Sequence, residues 1–366
     1  MQTPPNVPKP LIIPVFIPNA GCPHRCAFCN QSATTGQCEP FPGAKQIHES
    51  IERFLDYAGP KRGFREIAFF GGNFLGLPVQ QIEQLLDLAR QYILRGRVQG
   101  IRFSTRPDTI DAARLDLIAP YGVSTVEIGV QSLNDEVLRQ SRRGHDAQTT
   151  EAAVNLIRRQ TGYRLGLQMM IGLPGDSAGS ALETARRIIG WHPDFVRIYP
   201  TLVLKHSLLE KWQTRGGYTP LSLDEAVDQA KALYALFVGK GIQVIRMGLQ
   251  PTGELSPNAA VVDGPFHPAF GELVISALWL DVLTAHFKRR GIRQQAVTLT
   301  LNPRKVSQVK GLKNLNMEKL TSVFNLSALD IQQDASLPAD TVLVNGEACR
   351  FPGDASEAAP EADING

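Results

Sequence analysis

Apolar residues along the chain form short continuous runs, separated by longer amphipathic stretches. Continuous apolar runs, without alternating polar positions, are typical of parallel strands buried on both faces. Seven such runs predict strands at 11–18, 66–72, 100–107, 125–132, 165–174, 195–204 and 242–251. Apolar residues at helical spacing predict helices at 79–94 and 222–241, the second opened by a capping-box pattern of Ser222 and Glu225.

The alternation of strands and helices implies a parallel α/β sheet. Six such units within about 200 residues favour a partial (β/α)6-type TIM-like barrel, with a doubly wound open sheet as the alternative. Gly, polar or charged residues follow several of the apolar runs directly. Ligands of parallel α/β folds bind at the carboxyl ends of the strands, so we expect the functional site there.

The pattern changes after residue 250, where a long Gly/Pro-rich connection leads to a helix pattern at 272–289 and then to a small α+β region. That region reads as strand, short helix, loop, helix, strand. The predicted organisation is an N-terminal extension (1–10), a core domain (11–255), a connecting loop and helix (256–290), a small basic C-terminal domain (291–350) and a disordered acidic tail (351–366).

Composition narrows the class of protein only slightly. The chain has 366 residues, 43% of them hydrophobic and 20% charged, which is ordinary for a globular protein. A net charge of +3 says little about partners. No uninterrupted apolar run reaches the roughly 20 residues of a membrane span, and the N-terminus lacks a signal-peptide pattern. We therefore expect a cytoplasmic protein with no membrane partner.

Three of the five cysteines, Cys22, Cys26 and Cys29, lie within eight positions, in the spacing C-x3-C-x2-C. A disulfide would pair two of them and leave one. A structural zinc site needs four ligands, for which His24 or Cys38 would be the fourth. A [4Fe–4S] cluster is normally held by four thiolates, so three would leave one iron with an open coordination position. The third arrangement fits the compact loop best.

The segment CPHRCAFC, with Phe28 before the last thiol, resembles the motif of the radical S-adenosylmethionine (SAM) superfamily. The resemblance implies a [4Fe–4S] cluster on Cys22, Cys26 and Cys29, with SAM on the open iron and Phe28 at the cofactor. It also implies a reductant such as flavodoxin or ferredoxin. The cofactor then carries the difficult chemistry, while the protein positions it.

The segment FFGGNF resembles the Gly-Gly motif of the same superfamily, whose backbone binds the SAM amino group. Gly71 and Gly72 match this motif, and glycine permits close backbone approach. Many members have Glu at the next position, where this chain has Asn73. The resemblance therefore implies SAM contacts at Gly71, Gly72 and Asn73, without the carboxylate.

The segment at 126–146 is similar to a stretch shared by oxygen-independent coproporphyrinogen III oxidases and the catalytic subunit of the Elongator complex. The similarity implies that Gln131 and Arg143 contact SAM. An amide can bond ribose hydroxyls, and a guanidinium can grip a carboxylate with two hydrogen bonds. Ser104 and Gln168 stand where the oxidases carry acidic SAM contacts, so they are further candidates for SAM binding.

Residues 195–227 look closer to the Elongator subunit than to the porphyrin enzymes. The resemblance covers roughly residues 10–255 and ends before the acetyltransferase domain of that subunit. The C-terminal region invites comparison with a KH-type RNA module, whose Gly-x-x-Gly loop clamps the nucleic-acid backbone. Here the RNA-binding candidates are Lys310, Gly311, Lys313 and Asn314, within a stretch, 286–319, that has nine Lys or Arg and one acid.

These features together predict a radical SAM enzyme of an Elongator-like branch that modifies RNA, with a tRNA-like substrate. A small-molecule or porphyrin-type radical SAM oxidoreductase is the first alternative. A cluster-bearing RNA-binding protein without enzymatic activity is the second. No residue is assigned as the catalytic acid, base or radical carrier, and Cys38 and Cys349 have no assigned role.

Overall fold

The computed structural model describes residues 10–30, 42–58, 63–160, 162–249 and 260–351. The chain divides into two compact units. The first comprises the chain up to Leu221 and the stretch Leu249–Phe266, and the second comprises Ser222–Gly248 and the chain from His267 onwards. The second unit thus includes residues 222–248, which lie inside the core domain predicted from the sequence.

Six strands of the first unit lie side by side in parallel, in the order in which they occur along the chain. They are β1 (Leu11–Phe16), β2 (Arg65–Phe70), β3 (Gly100–Thr105), β4 (Val123–Gln131), β5 (Arg164–Ile171) and β6 (Phe195–Pro200). A doubly wound open sheet would show a reversal in strand order. Since the order runs from β1 to β6 without reversal, the predicted partial (β/α)6-type barrel is confirmed.

Helices connect successive strands of this sheet. They are α1 (Ala44–Ala58), α2 (Val79–Leu94), α3 (Ala112–Ile118), α4 (Asp135–Gln140), α5 (Ala147–Arg159) and α6 (Ala178–Gly190), followed by α7 (Leu208–Thr214). The bounds of α2 are those predicted from its apolar spacing. Polar side chains cap the N-termini of two of these helices. Asp146 accepts a hydrogen bond from the amide of Thr149 at the start of α5, and Ser177 forms a capping box with Ser180 at the start of α6.

The seventh predicted strand is present as β8 (Gln243–Met247), and the predicted strand at 195–204 is divided. Its second part, β7 (Val203–Leu204), pairs antiparallel with β9 (Val261–Asp263). The strand breaks at Thr201, whose amide and hydroxyl both donate to the carbonyl oxygen of Ile171 at the end of β5.

The two faces of the β1–β6 sheet differ in chemistry. On one face, side chains such as Phe69, Phe103 and Ile128 are completely buried, and Phe74 stacks on Phe69 and Phe103. The opposite face, called the polar face below, carries charged side chains in the middle of the strands. It includes Glu66, Arg102, Glu127 and Arg197.

The second unit contains helices α8 (Leu223–Val238), α9 (Phe270–Arg290), α10 (Val306–Lys310) and α11 (Leu315–Phe324). Its sheet has the order β11-β10-β12-β13, made of β10 (Ala296–Leu301), β11 (Ala328–Gln333), β12 (Thr341–Val344) and β13 (Glu347–Arg350). The predicted order of strand, short helix, loop, helix and strand is confirmed by β10, α10, α11 and β11. The predicted capping box of Ser222 and Glu225 opens α8.

Although the sequence holds no uninterrupted apolar run of membrane length, α9 is long and apolar enough to cross a membrane by length and composition alone. It is the one such helix in the described ranges. Trp279, Leu283 and Phe287 of α9 pack in the core of the second unit, and Asp281 pairs with Lys231 of α8 at 2.7 Å. A core helix of a globular unit has these properties too.

Candidate functional site

The cysteine loop, residues 19–30, follows β1 and brings three thiols together in one turn-rich segment. Cys26 is buried, whereas Cys22 and Cys29 are partly exposed. The amide of Cys29 donates to the carbonyl oxygen of Cys26, and that of Ala27 donates to Ser141. Burial raises the pKa of Cys22, and Cys26 raises it further, while Arg106 and Arg143 act in the opposite direction.

The positions of the three loop thiols limit which metal group they could bind. Within the described ranges, no three His, Cys, Asp or Glu side chains converge on the position of a single metal ion. Cys38, a candidate fourth zinc ligand, lies outside those ranges. In a [4Fe–4S] cluster each thiolate binds its own iron, so the ligands need not converge on one point. Three thiols in one loop fit that group.

Two arginines from other segments approach the sulfur of Cys26. Nη1 of Arg143 lies 3.3 Å from it and Nη1 of Arg106 lies 3.8 Å from it. Arg106 also pairs with Asp108 at 2.7 Å and donates to the carbonyl oxygen of Arg143. These two guanidinium groups place positive charge beside the sulfur of Cys26.

Arg143 combines contacts to protein with one unused donor. It is buried, and Nη2 donates to the carbonyl oxygen of Gly129 at 2.6 Å. Its Nε is buried and has no hydrogen-bond partner in the part of the chain that the structure describes. A buried donor without a partner is costly, and an anionic ligand at this position would satisfy it. Arg143 therefore fits the carboxylate-binding role that the resemblance implies.

Gln131 and Gln168 meet at the carboxyl ends of β4 and β5. Nε2 of Gln168 donates to Oε1 of Gln131 at 3.0 Å. The pairing of these strands shifts register between Gly129 and Gln131, and Gln131 has a positive φ of 66°. Such a bulge redirects a side chain and ends regular pairing, often beside functional sites. The predicted residues Gln131, Arg143 and Gln168 are thus brought together at one edge.

Gly129 makes this arrangement sterically possible. A Cβ at Gly129 would lie 2.7 Å from Nε2 of Gln131 and 2.9 Å from Nη2 of Arg143. Any residue other than glycine would therefore push both side chains away. Sequence reasoning did not single out Gly129, because its role depends on contacts with a side chain that follows 14 residues later.

The glycines at the end of β2 pack against the cysteine loop. Gly71 has a positive φ of 86°. A Cβ at Gly72 would lie 2.5 Å from the carbonyl oxygen of Ile17 and 2.7 Å from that of Ala20. The close approach at Gly72 in this structure is therefore to the stem of the loop. Asn73 is buried next to them, and its side chain forms hydrogen bonds with Gly21 and Thr105.

Ser104 and Phe28 occupy different surroundings. Ser104 is partly exposed on β3, level with Glu127 of β4 on the polar face. Phe28 packs with Val137 and Met170, and with a second apolar group that includes Leu209. The ring of Phe28 thus anchors the cysteine loop to the barrel.

The charged network of the polar face was missed by sequence reasoning. Arg102 contacts Glu66 at 2.7 Å and Glu127 at 3.0 Å, and all three residues are buried. Arg197 contacts the same Glu127 at 3.0 Å. The sequence did contain a signal for this network, namely Arg102 within the predicted buried strand at 100–107. Each of these buried charges is thus paired with an opposite charge, as burial of a charge in a protein requires.

The candidate RNA-binding residues of the second unit are Lys310, which ends α10, and three residues of the loop between α10 and α11. Gly311 has φ of 75°, and Lys313 and Asn314 both have positive φ, at 52° and 66°. Lys313 and Asn314 are exposed and Lys310 is partly exposed. Two apolar side chains are also open to solvent here, Leu312 at 55% and Leu315 at 46%.

Comparison with known proteins gave two family matches. The model described as the Radical SAM superfamily matches residues 16–188. A second, described as the Radical SAM C-terminal domain, matches residues 193–279. The first match contains the three loop cysteines and each SAM-contact residue predicted above.

Similar proteins include a tRNA uridine(34) acetyltransferase and Elongator complex protein 3. The tRNA uridine(34) acetyltransferase of Dehalococcoides mccartyi is 27% identical over 233 residues, covering 54% of this chain and 50% of that protein. Elongator complex protein 3 of Saccharomyces cerevisiae is 31% identical over 214 residues, covering 52% of this chain and 36% of that protein. This chain therefore spans half or less of the length of these two relatives.

Among solved structures, the archaeal Methanocaldococcus infernus Elp3 with an N-terminal deletion is similar in fold. The TM-score is 0.57 at 19% sequence identity, covering 79% of this chain and 65% of that one. At this level of identity the likeness concerns the fold.

Proposed function

Because this chain belongs to the radical SAM superfamily, we propose that it is an RNA-modifying radical SAM enzyme with a tRNA-like substrate. Enzymes of this superfamily use a [4Fe–4S] cluster and SAM. Bound here and reduced, the cluster together with SAM would supply one-electron cleavage of SAM to methionine and a hydrogen-abstracting 5′-deoxyadenosyl radical. The thiolates of Cys22, Cys26 and Cys29 would hold the cluster.

Residues at the carboxyl ends of the strands would hold SAM. The Arg143 guanidinium, whose Nε has no partner among the described residues, would bind a carboxylate. Gln131 and Gln168 offer amide groups for hydroxyls, and Gly71 and Gly72 offer backbone groups. Ser104 faces the same polar side of the sheet. The observation that carries this assignment is the approach of Arg143 to both Cys26 and Gly129, since it joins the cluster loop to the predicted SAM contacts.

The proposal of an RNA substrate rests on two independent supports. Two similar proteins are a tRNA uridine(34) acetyltransferase and Elongator complex protein 3. The second support is the segment from the end of α10 to the start of α11, which presents Lys310 and Lys313 together with Leu312 and Leu315. Acetyl transfer is not part of the proposal, because the chain covers only part of those relatives.

The chemistry of that segment suits single-stranded RNA better than a duplex. Lysine side chains contact phosphates, and exposed apolar side chains contact unpaired bases, which a duplex keeps stacked. Lys319, one turn after Leu315 on α11, extends the basic charge along the same helix. We therefore propose that Lys310, Gly311, Lys313 and Asn314 contact an unpaired RNA segment.

The test is SAM cleavage by the reconstituted protein, with dithionite or a reduced flavodoxin or ferredoxin as electron donor, with and without bulk tRNA. We expect 5′-deoxyadenosine in both, more of it with tRNA, and a new nucleoside in the digested tRNA. Cleavage that never depends on RNA and leaves no altered nucleoside would contradict the RNA substrate and favour a small-molecule or porphyrin-type reaction. A stable cluster without any SAM cleavage would indicate a non-enzymatic RNA-binding protein.

A further inference from the structure

Asn73 lies between the cysteine loop and the end of β3, and it is completely buried at 0% exposure. Both polar atoms of its side-chain amide form hydrogen bonds. Nδ2 donates to the carbonyl oxygen of Gly21 at 2.8 Å. Oδ1 accepts from the hydroxyls of Thr105 and Thr109, at 2.7 and 2.8 Å, and from the amide of Arg106 at 2.9 Å.

The backbone of Asn73 reinforces the same contact. Its amide donates to the carbonyl oxygen of Ala20 at 2.8 Å. A Cβ at Gly21 would lie 2.2 Å from the carbonyl oxygen of Asn73, so the two backbones are in direct contact. Gly21 has a positive φ of 71°, as this close approach requires. The residue directly before Cys22 is therefore fixed by Asn73.

The other side of Asn73 fixes a residue that reaches Cys26. The amide of Arg106 is bonded to Oδ1 of Asn73, and its guanidinium extends to the sulfur of Cys26 and pairs with Asp108. One side-chain amide thus holds the backbone before the first cysteine and the backbone of an arginine beside the second.

We propose that Asn73 is a positioning residue that clamps the cluster-binding loop to the end of β3, and that its side chain does not contact SAM. An amide suits this place because it donates and accepts at once. A carboxylate would keep the three acceptor bonds but would set a second oxygen against the carbonyl of Gly21. Aspartate and leucine, both close to asparagine in size, therefore separate loss of the donor from loss of all four bonds.

The experiment compares N73D and N73L with the unaltered chain after anaerobic reconstitution. Iron and sulfide per chain, the EPR spectrum of the reduced cluster, and iron retention against a chelator are measured, together with thermal unfolding of iron-free protein. We expect roughly 10- to 100-fold weaker iron retention in N73D, the range found when residues supporting metal ligands are replaced. N73L should lose at least as much.

The matched control is T184V, which removes a buried hydroxyl that accepts from the amide of Leu133, away from the loop. It should unfold at a lower temperature and retain iron like the unaltered chain. Equal iron loss in T184V and N73D at equal thermal stability would overturn the proposal. So would N73D with unchanged iron retention and weaker SAM binding, the pattern of a direct SAM contact.

If N73D does not fold, T109V serves in its place. Thr109 is partly exposed and donates one of the three bonds to Oδ1, so its loss should be milder. We expect a smaller but measurable loss of iron retention. Unchanged retention in T109V would overturn the clamp. No RNA enters these measurements, so their outcome is independent of the proposed substrate.

Discussion

Nη1 of Arg143 lies 3.3 Å from the sulfur of Cys26, although 117 residues separate them in the chain. Two backbone hydrogen bonds produce this proximity. The amide of Ala27 donates to Ser141, and the amide of Arg143 donates to Leu138 at the end of α4. The turn after α4 is thereby laid along the cysteine loop, with the guanidinium directed at the sulfur.

Replacing Arg143 by methionine should keep the apolar stem and remove the charge and the donors. Hydrogen bonds to cluster sulfurs influence reduction potential, and a guanidinium is the proposed carboxylate ligand of SAM. We expect R143M to retain the cluster, with a lower reduction potential and roughly 10- to 100-fold slower SAM cleavage. Spectroelectrochemical titration and release of 5′-deoxyadenosine measure both effects.

The adjacent arginine provides the control for that prediction. Arg142 is exposed and its guanidinium lies over the ring of Trp212. R142M removes the same charge one residue away and should leave potential and cleavage unchanged. If R142M and R143M behaved alike, net charge rather than the contact with Cys26 would explain the effect.

Local patterns were sufficient to predict most of the fold. Continuous apolar runs indicated the parallel strands, and helical spacing gave the bounds of α2, because both depend on residues close in sequence. The strand at 195–204 is broken at Thr201 because its hydroxyl bonds to Ile171, 30 residues earlier. No local pattern reports such a contact.

In the candidate site, too, local sequence patterns predicted some residues, whereas others depend on contacts between distant parts of the chain. The proposed cluster ligands are three residues of one loop, so their spacing in the sequence was enough to predict them. Arg106 directly follows β3, yet its role depends on Cys26, 80 residues away. Glu66 and Arg102 are 36 residues apart, and only strand register brings them together. Asn73 stands where many members of the superfamily have Glu, and the role proposed for it rests on hydrogen bonds to Gly21, Thr105 and Arg106 that no sequence pattern reports.

Replacing any one of Cys22, Cys26 or Cys29 by alanine should abolish the visible absorbance of the cluster and all SAM cleavage. Two thiolates cannot hold three irons of a [4Fe–4S] cube, and the open iron then loses its defined position. The control is C349A, since Cys349 is buried in the core of the second unit. C349A should lose some stability and keep full iron content, whereas full iron in a loop variant would refute the cluster assignment.

A methyl group at position 129 should disturb the SAM contacts without unfolding the chain. In G129A the new Cβ would collide with the ends of the Gln131 and Arg143 side chains, which can swing away. The stability cost should be about 1 kcal/mol, at the low end for overpacking. Displacement of binding groups by an ångström costs roughly 100-fold in rate, so SAM cleavage should fall while iron content is kept.

G190A is the matched control for this substitution. Gly190 ends α6, and a Cβ there would meet no atom within 4 Å. Stability, iron and SAM cleavage should all be close to those of the unaltered chain. Normal SAM binding in G129A, measured by calorimetry, would show that neither Gln131 nor Arg143 holds SAM.

His145 should make the iron-free protein less stable in mild acid. Burial lowers the pKa of His145 to about 4, and the neighbouring charge of Arg143 acts in the same direction. Because the unfolded chain binds the proton more tightly, stability is complete above the ordinary pKa of 6.5 and falls as pH decreases towards about 4. The slope reaches about 1.4 kcal/mol per pH unit.

Replacing His145 by asparagine isolates this effect. Nδ1 of His145 lies 3.2 Å from the carbonyl oxygen of Asp146, so the neutral ring donates there. Asparagine can donate at a similar place and does not titrate. H145N should therefore show a flatter stability profile between pH 4 and 6.5 in urea unfolding. An unchanged slope would mean that another group causes the acid sensitivity.

Removing Lys310, at the end of α10, and Lys313, in the loop after it, should weaken RNA binding and leave RNA-independent SAM cleavage unchanged. Each lysine that contacts a phosphate releases counterions, so its loss lowers the salt dependence of binding by about one unit of slope. In K310A/K313A the slope should fall by roughly two. Fluorescence anisotropy with an unpaired RNA oligonucleotide, at several salt concentrations, measures this.

The control is K240A, since Lys240 is an exposed lysine of the same unit outside the loop. If the double variant kept the slope of the unaltered chain, these lysines would not contact phosphate and the RNA-binding surface would lie elsewhere.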